Sequence, residues 1–326
     1  MIGKFRLNNP FNTFLLLIYG LLLKLVWFIH PLVPVVMNSD GVLYNRMLGF
    51  LKPFLDRYPV VYSLISFLLL YTQALSFNQL INNRRMMQKS NYLPGMSYLL
   101  ITSFFPEWNI LSSALILNTM LIWLWAKISN LYNNPHAKTT LYNIGLVLGI
   151  SMFLYFPSIA FVLLVVFALI LTRPFRIEEW FVSVLGVLTP WYLLFAWLFL
   201  TNALYNYTMP QFKANYAFII SNHLYYLGII PILFAAVMGG LFIQISSRKQ
   251  LVQVRKNWGL LLLYLITALL IPFINRVYNF QYWILAAVPL SAFVAYFFFY
   301  PTKKWFPLSI HWLMVGFIYY LSYLKR

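Results

Sequence analysis

Apolar runs of about 20 residues recur along nearly the whole chain, and only short polar stretches separate them. A helix of about that length crosses the roughly 30 Å hydrocarbon core of a membrane. The runs are continuous and do not alternate between apolar and polar residues, which argues against a membrane β-barrel. The sequence therefore predicts an all-α integral membrane protein, a bundle of several spanning helices.

We expect about eleven transmembrane helices within a single domain, residues 1–326. The third and fifth runs are short and prolines mark their ends, so that ten or twelve crossings stay open. The predicted spans are 11–37, 60–81, 92–105, 109–127, 140–156, 157–172, 179–201, 223–246, 258–274, 279–299 and 306–323.

The distribution of charge predicts the orientation. Basic residues concentrate in loops on one side: fifteen of the 23 lie in loops assigned to the inner face and seven in loops assigned to the outer face. This bias is typical of cytoplasmic loops and places the N-terminus in the cytoplasm. The net charge of +18 does not indicate nucleic-acid binding, since no basic face is interleaved with exposed aromatic residues. The chain contains no cysteine, which excludes disulfides, thiolate catalysis and iron–sulfur clusters.

Residues 37–59 form the first outer loop. Apolar residues recur there at helical spacing, which predicts a short amphipathic helix in the membrane interface, with its apolar side made by Leu43, Met47, Phe50, Leu51 and Phe54. Asp40 directly precedes this helix. Its carboxylate or the hydroxyl of Ser39 could cap the helix N-terminus. Asp40 could equally serve chemistry, and the sequence leaves both interpretations open.

Only five carboxylates occur in the chain, so their positions are informative. Asp40 and Asp56 lie in the first outer loop and Glu107 lies in the second, whereas the remaining outer loops hold none. The other two acids lie beside basic residues on the inner face, which predicts a local salt-bridged loop of Arg173, Arg176, Glu178 and Glu179.

An acid after the first span, an amphipathic helix along the outer surface and a second acid in the next outer loop resemble the C-type fold of membrane glycosyltransferases. The short spans of residues 141–176 and the span at 178–195 are similar to that architecture. The resemblance implies transfer of a sugar from a polyprenyl-phosphate carrier on the extracytoplasmic face. It implies Asp40 as the base or acceptor-positioning group and Glu107 as a second catalytic acid that helps to bind a metal. The chain also resembles bacterial multi-pass families without an established activity, which places it in a bacterial inner membrane.

Sugar transfer from a lipid phosphate also needs cations beside the leaving group. Arg276, in "PFINRVYNFQYW", is the preferred phosphate-binding residue because arginine binds phosphate through two parallel hydrogen bonds. Lys52 and Arg57 could assist, or they could contact lipid headgroups, and Arg276 could itself be an interfacial arginine. The outer loop at 202–222 offers Asn, Tyr and Gln side chains to a sugar or peptide, or to the membrane interface.

A divalent metal, magnesium or manganese, could bind between Asp40, Glu107 and His223, because hard cations prefer oxygen-rich ligand sets. Nothing in the spacing of these three residues brings them together. Lys24 lies inside the first span, where an ionisable group is costly and is a functional candidate by default. It could instead extend to the interface or contact backbone carbonyls.

Two other classes of function stay open. A non-catalytic subunit or scaffold of a cell-envelope complex would also lack sharp motifs, and its partners would be envelope proteins. A transporter of lipids or small solutes usually keeps acids inside its helices, whereas every acid here is predicted in a loop. In each case membrane lipids are expected partners, with a lipid-linked sugar added for the glycosyltransferase interpretation.

Overall fold

The protein is seen in a computed structural model that describes residues 2–37, 39–132, 134–207, 224–274, 279–303 and 305–324. It is 80% helical, and the described residues form no β-strand beyond an isolated antiparallel bridge between Asp40 and Tyr155. The all-α prediction is confirmed. The α-helices are α1 (Ile2–Phe5), α2 (Phe11–Ile29), α3 (Val42–Leu55), α4 (Val60–Asn83), α5 (Leu93–Thr102), α6 (Ser113–Ile128), α7 (Ala137–Leu154), α8 (Val162–Thr172), α9 (Ile177–Leu200), α10 (Tyr225–Ser246), α11 (Val252–Leu270), α12 (Ala287–Phe299) and α13 (Trp305–Leu324).

Short 3-10 helices complete the described chain, at Pro106–Asn109, Phe156–Phe161, Leu204–Asn206, Ser247–Lys249, Ile271–Ile274 and Phe280–Ala286. Two of them matter for the site and are named here the Pro106 turn (Pro106–Asn109) and the Phe280 segment (Phe280–Ala286). The Phe280 segment runs directly into α12.

Seven helical segments of the described chain are long and apolar enough to cross a membrane: Phe11–Ile29, Val60–Asn83, Ala137–Leu154, Ile177–Leu200, Tyr225–Lys249, Val252–Ile274 and Phe280–Phe299. Three further apolar helices are shorter, at Leu93–Thr102, Ser113–Ile128 and Phe156–Thr172. The chain is a multi-pass membrane protein. Each predicted span contains a helix, but the count of about eleven crossings is not confirmed.

Helices α5 and α12 form the centre of the bundle. Every residue of α5 is buried, as is every residue of α12 except Phe299. At about 15 Å, α5 is too short to cross a bilayer by itself. A non-helical backbone is tolerated at membrane depth only where protein surrounds it, and helices α2, α4 and α12 surround α5.

Helix α9 packs almost entirely against α7 through small residues. A Cβ atom on Gly145 of α7 would stand 2.9 Å from the backbone nitrogen of Val187, and a Cβ atom on Gly186 would stand 3.1 Å from the backbone nitrogen of Leu146. Glycine at both positions therefore allows the two backbones to approach closely, as is typical of helix pairs in membranes. The opposite side of α9 exposes its large apolar residues.

Helix α3 confirms that residues 37–59 contain a helix, but the predicted N-cap is wrong. The residue at the N-cap position is Gly41, and no side chain caps the helix, so neither Asp40 nor Ser39 has that role. Tyr44 and Leu48 are buried against the bundle, and Met47 packs partly against the same cluster. The other end of the predicted apolar side is exposed at the protein surface: Phe50 is 72% exposed and Phe54 66%.

Two ion pairs fasten one end of the bundle. Arg173 donates two hydrogen bonds to Glu179, the shorter being 2.7 Å, and a third to the carbonyl of Asn134. Glu178 pairs with Lys138 of α7. The predicted loop of Arg173, Arg176, Glu178 and Glu179 is therefore salt-bridged only in part, because Lys138 takes the place expected for Arg176.

Candidate functional site

Asp40 lies just before α3, after an irregular stretch at 31–37, and is buried, with 7% of its surface exposed. Its Oδ2 accepts a hydrogen bond from the backbone N–H of Met37 at 2.8 Å. Its Oδ1 accepts one from the hydroxyl of Ser113, in the first turn of α6, and a longer one, 3.5 Å, from the hydroxyl of Tyr282. Three separate parts of the chain thus supply donors to one carboxylate.

The backbone around Asp40 is fixed to the end of α7. Gly41 donates a 2.7 Å hydrogen bond to the carbonyl of Leu154, and a Cβ atom at Gly41 would overlap the carbonyl of Phe153. Only glycine fits so close to another backbone. The ring of Tyr155 then stacks on that of Tyr282, with centroids 4.5 Å apart.

Burial is the largest influence on the acidity of Asp40. It raises the pKa of this carboxyl above the ordinary value, because the charged form loses hydration, while the hydrogen bonds from Ser113, Met37 and Tyr282 act in the opposite direction. A raised pKa brings a carboxylate closer to the value suited to taking a proton near neutral pH. The environment of Asp40 is therefore that of a candidate base.

Glu107 lies in the Pro106 turn, half-buried, and its Oε1 accepts a 2.5 Å hydrogen bond from the hydroxyl of Tyr225 in α10. The next residue, Trp108, donates from its indole nitrogen to the carbonyl of Phe280 at 3.1 Å. The rings of Trp108 and Phe280 stack with centroids 5.8 Å apart. Glu107 is thereby held on the side of the turn that faces α10 and the Phe280 segment.

The Phe280 segment connects the two acids. Tyr282 contacts Asp40, and Phe280, two residues earlier, contacts both Trp108 and Tyr225, the neighbour and the partner of Glu107. The structure therefore brings Asp40, and the neighbour and partner of Glu107, against one short stretch of chain at one end of the bundle. Sequence spacing alone could not show this.

An apolar cleft of about 310 Å³ opens beside the Pro106 turn. Its wall is entirely apolar and includes Phe105 and Trp108 on one side and Phe280, Trp283 and Leu290 on the other. The cleft thus shares Phe280 and Trp108 with the contacts that hold Glu107. A cleft of this size and lining suits a hydrocarbon chain.

Lys24 is fully inside the bundle, with 2% of its surface exposed. Its ammonium donates to the side-chain oxygens of Asn109, at 2.6 Å, and Thr102, at 3.2 Å. The expectation that Lys24 extends to the interface or contacts backbone carbonyls is wrong. The lysine is instead bonded to the last residue of the Pro106 turn, two positions after Glu107.

Two of the basic residues predicted to bind phosphate, Lys52 and Arg57, do not contact Asp40 or Glu107. Lys52 lies in the last turn of α3, about 15 Å along the helix from its start near Asp40. The guanidinium of Arg57 lies 5.9 Å from the ring of Tyr58 and is exposed. Asp56 accepts a hydrogen bond from Tyr62 and makes no ion pair with Arg57 or any other described residue. Arg276 lies outside the described residues.

The described part of the chain does not fit a divalent metal. It contains no group of three acidic, histidine or cysteine side chains that could hold one. The oxygens of Asp40 accept hydrogen bonds from protein donors and are not arranged around an open position. His223, the third expected ligand, lies outside the described residues, as does most of the 202–222 loop.

Comparison with known protein families gives one match. Residues 42–325 match the model of a family of unknown function, DUF6427. The chain belongs to this family. The DUF6427 region includes Glu107, Ser113 and Tyr282, and Asp40 lies two residues before its start. No curated protein and no solved structure matches the chain.

Ser113, Tyr155 and Tyr282 were not expected at this site. The sequence gives a signal for one of them: "SSAL" before an apolar run is typical of a helix start, and Ser112 does accept from the N–H of Leu115. This marks Ser113 as the first residue of a helix at the level of the second outer loop. Nothing in the sequence distinguishes Tyr155 or Tyr282 from the other 22 tyrosines.

Proposed function

We propose that this DUF6427 protein transfers a sugar from a polyprenyl-phosphate carrier to an acceptor on the extracytoplasmic side of a bacterial inner membrane. The observation that carries the proposal is the shared attachment of Asp40 and Glu107 to the Phe280 segment, beside an apolar cleft. Transfer from such a carrier needs a base, a polar site for the sugar phosphate and an apolar surface for the prenyl chain. The candidate base Asp40, the polar residue Glu107 and the apolar cleft, which all adjoin the Phe280 segment, support the proposal.

In this reaction the bond between the sugar's anomeric carbon and the phosphate oxygen breaks, and a bond to the acceptor oxygen forms. Asp40 accepts the acceptor's proton, and its burial and raised pKa suit it to that role. Polyprenyl phosphate leaves with the electron pair of the broken bond. Arg276, six residues before Tyr282 in the sequence, is the proposed partner of that phosphate.

The prenyl chain occupies the apolar cleft in this proposal, and Glu107 orients the sugar by accepting hydrogen bonds from its hydroxyl groups. Helix α3 lies in the membrane interface with Phe50 and Phe54 among the lipids. Lys52 and Arg57, at its far end, contact lipid headgroups. The bias of basic residues supports a cytoplasmic N-terminus, which puts Asp40 on the outer side.

One observation favours a second candidate function. Asp40 accepts hydrogen bonds from three protein donors, as a purely structural carboxylate would. In that case the protein is a non-catalytic subunit of an envelope complex, and the buried acid only joins the chain before α3 to α6 and the Phe280 segment. The two candidates differ in what Asp40→Asn does: a catalytic base would be lost, whereas a structural side chain would be replaced by one of the same shape.

The test uses purified protein reconstituted in liposomes with a polyprenyl-phosphate-linked hexose and a bacterial envelope extract as the source of acceptor. Release of polyprenyl phosphate is measured by mass spectrometry. Asp40→Asn should lower the rate by about 10²–10⁴-fold, the usual contribution of a general base. Asp56→Asn, an exposed acid in the same loop, is the matched control and should keep the rate. Full activity of Asp40→Asn, or no release by the unaltered protein, would refute the proposal.

A further inference from the structure

A second pocket lies at the opposite end of the bundle from Asp40. It is bounded by the C-terminal half of α4, the chain before α2 and the stretch that leads into α5, and its volume is about 400 Å³. Thr13, in the first turn of α2, contributes to its wall, whereas Asp40 comes after the far end of the same helix, which is about 28 Å long. The pocket is therefore separate from the acidic site, by which we mean Asp40, Glu107 and the residues that contact them.

The lining of this pocket is dominated by carboxamides. Five of its side chains are amides, and the described residues that line it include no charged group. We call it the amide pocket; its amide residues are Asn8, Asn78, Gln79, Asn82 and Asn83, with Tyr92 beside them. Basic residues lie close by in the sequence, at Arg84, Arg85 and Lys89, but outside the lining.

One amide points to a ligand. Asn78 is 4% exposed, and its Oδ1 accepts a 3.3 Å hydrogen bond from the backbone N–H of Gly95. Its Nδ2 group, which can donate two hydrogen bonds, donates to no residue in the described part of the chain. This nitrogen is not one of the buried atoms without a partner; it reaches the open space of the pocket, where it can donate to a ligand.

The walls of the amide pocket are fixed before any ligand binds. The side chain of Asn82 donates to the carbonyl of Asn91 at 2.8 Å and accepts from its N–H at 3.2 Å, which joins α4 to the following stretch. Tyr92 donates from its backbone to the carbonyl of Phe5 at 2.8 Å, and the hydroxyl of Tyr71 donates to the carbonyl of Thr13. A pocket held in this way loses little entropy on binding.

We propose that the amide pocket binds a neutral polyol, a group with neighbouring hydroxyls such as a sugar or a glycerol headgroup. A carboxamide both donates and accepts hydrogen bonds, and so does each hydroxyl of a polyol. Because no charged side chain lines the pocket, an ionic group gains nothing there and loses hydration. The polyol is either free in solution or the headgroup of a membrane lipid.

Native mass spectrometry tests the lipid source. The protein is released from nanodiscs that contain equal amounts of phosphatidylglycerol and phosphatidylserine, which carry the same net charge but differ in that only the first has a glycerol headgroup. We expect adducts of phosphatidylglycerol to exceed those of phosphatidylserine. In Gln79→Leu/Asn83→Leu the excess should fall about fivefold for each hydrogen bond lost. Both side chains are exposed and make no hydrogen bond with described residues, so the fold is kept.

Saturation-transfer NMR with glucose tests the free source, using the same protein in nanodiscs of phosphatidylcholine. Gln88→Leu removes an exposed amide outside the pocket and is the matched control for both arms. A glucose signal that the double variant loses, or a lipid preference that it loses, supports the proposal and identifies the source. Absence of both signals in the unaltered protein, or equal signals in the double variant, overturns it.

Discussion

Replacing Gly41 by alanine tests whether the position of Asp40 depends on close backbone packing. The added Cβ atom would overlap the carbonyl of Phe153 and stand 3.0 Å from the carbonyl carbon of Leu154. Both are backbone atoms at the end of α7, so they cannot rotate away as a flexible side chain would. The segment that carries Asp40 has to move instead.

The expected cost has two parts. Forcing extra volume into a packed site costs about 1–3 kcal/mol. Displacing the segment also breaks the 2.7 Å hydrogen bond from Gly41 to Leu154, which contributes about 1 kcal/mol. The free energy of unfolding should therefore fall by about 2–4 kcal/mol. Asp40 would lose its contacts with Ser113 and Tyr282 at the same time, so that activity should fall as well.

The assay is thermal unfolding of the purified protein in detergent, followed by tryptophan fluorescence. Gly49→Ala is the matched control: it lies in α3, is exposed, and its added Cβ would meet no described atom within 4 Å. Since alanine is the better helix former by about 1 kcal/mol, Gly49→Ala should melt at or above the unaltered protein. If Gly41→Ala melted as high as Gly49→Ala, the close approach of Gly41 to α7 would not exist.

Three further predictions concern other parts of the structure. Burial raises the pKa of Asp40, so the folded state binds the carboxyl proton more tightly than the unfolded state does. The free energy of unfolding should therefore fall as pH rises from about 3.9, the unfolded value, through the raised pKa of the folded state. A pH series of melting curves should show this decline in the unaltered protein and not in Asp40→Asn. Arg173→Met leaves the buried carboxylate of Glu179 without its partner and should lower the free energy of unfolding by about 3–5 kcal/mol. Arg176→Met, at an exposed residue, should lower it by at most about 0.5 kcal/mol. Equal melting temperatures of the two variants would contradict the pairing of Arg173 with Glu179. A fluorophore attached to the cysteine of Phe50→Cys should emit at shorter wavelength in nanodiscs than a water-exposed reference, because Phe50 is exposed on the protein surface that we place among lipids. Emission typical of water would contradict the interfacial position of α3.

Hydrophobic runs predicted the elements of the fold well. Each of the eleven predicted spans contains a helix, because an apolar segment in a membrane has to satisfy its own backbone hydrogen bonds. The number of crossings did not follow, because α5 and α6 are shorter than a bilayer is thick. Burial of α5 by its neighbours makes this length tolerable, and burial by neighbours is a property of the assembled bundle.

Capping at Asp40 shows where local patterns mislead. An acid directly before a helix is an ordinary N-cap signal, but the segment turns at Gly41 and directs the carboxylate towards α6 and the Phe280 segment. The spacing in α3 predicted an apolar side in the membrane interface, and the residues buried against the bundle are others, Tyr44 and Leu48. In a soluble protein the most apolar side of a helix faces the core; at a membrane surface lipid can cover it instead.

The contacts that join Asp40 and the Pro106 turn to the Phe280 segment are remote in sequence. Asp40 and Tyr282 are 242 positions apart, and Trp108 and Phe280 are 172 apart. The Phe280 segment and α12 together form the most buried of the seven long apolar segments, so a shift of α12 would move the partners of Asp40 and the neighbours of Glu107 together. The two acids consequently behave as one unit whose geometry depends on the core, and substitutions at Trp108 should be felt at Asp40 although the two side chains share no direct contact.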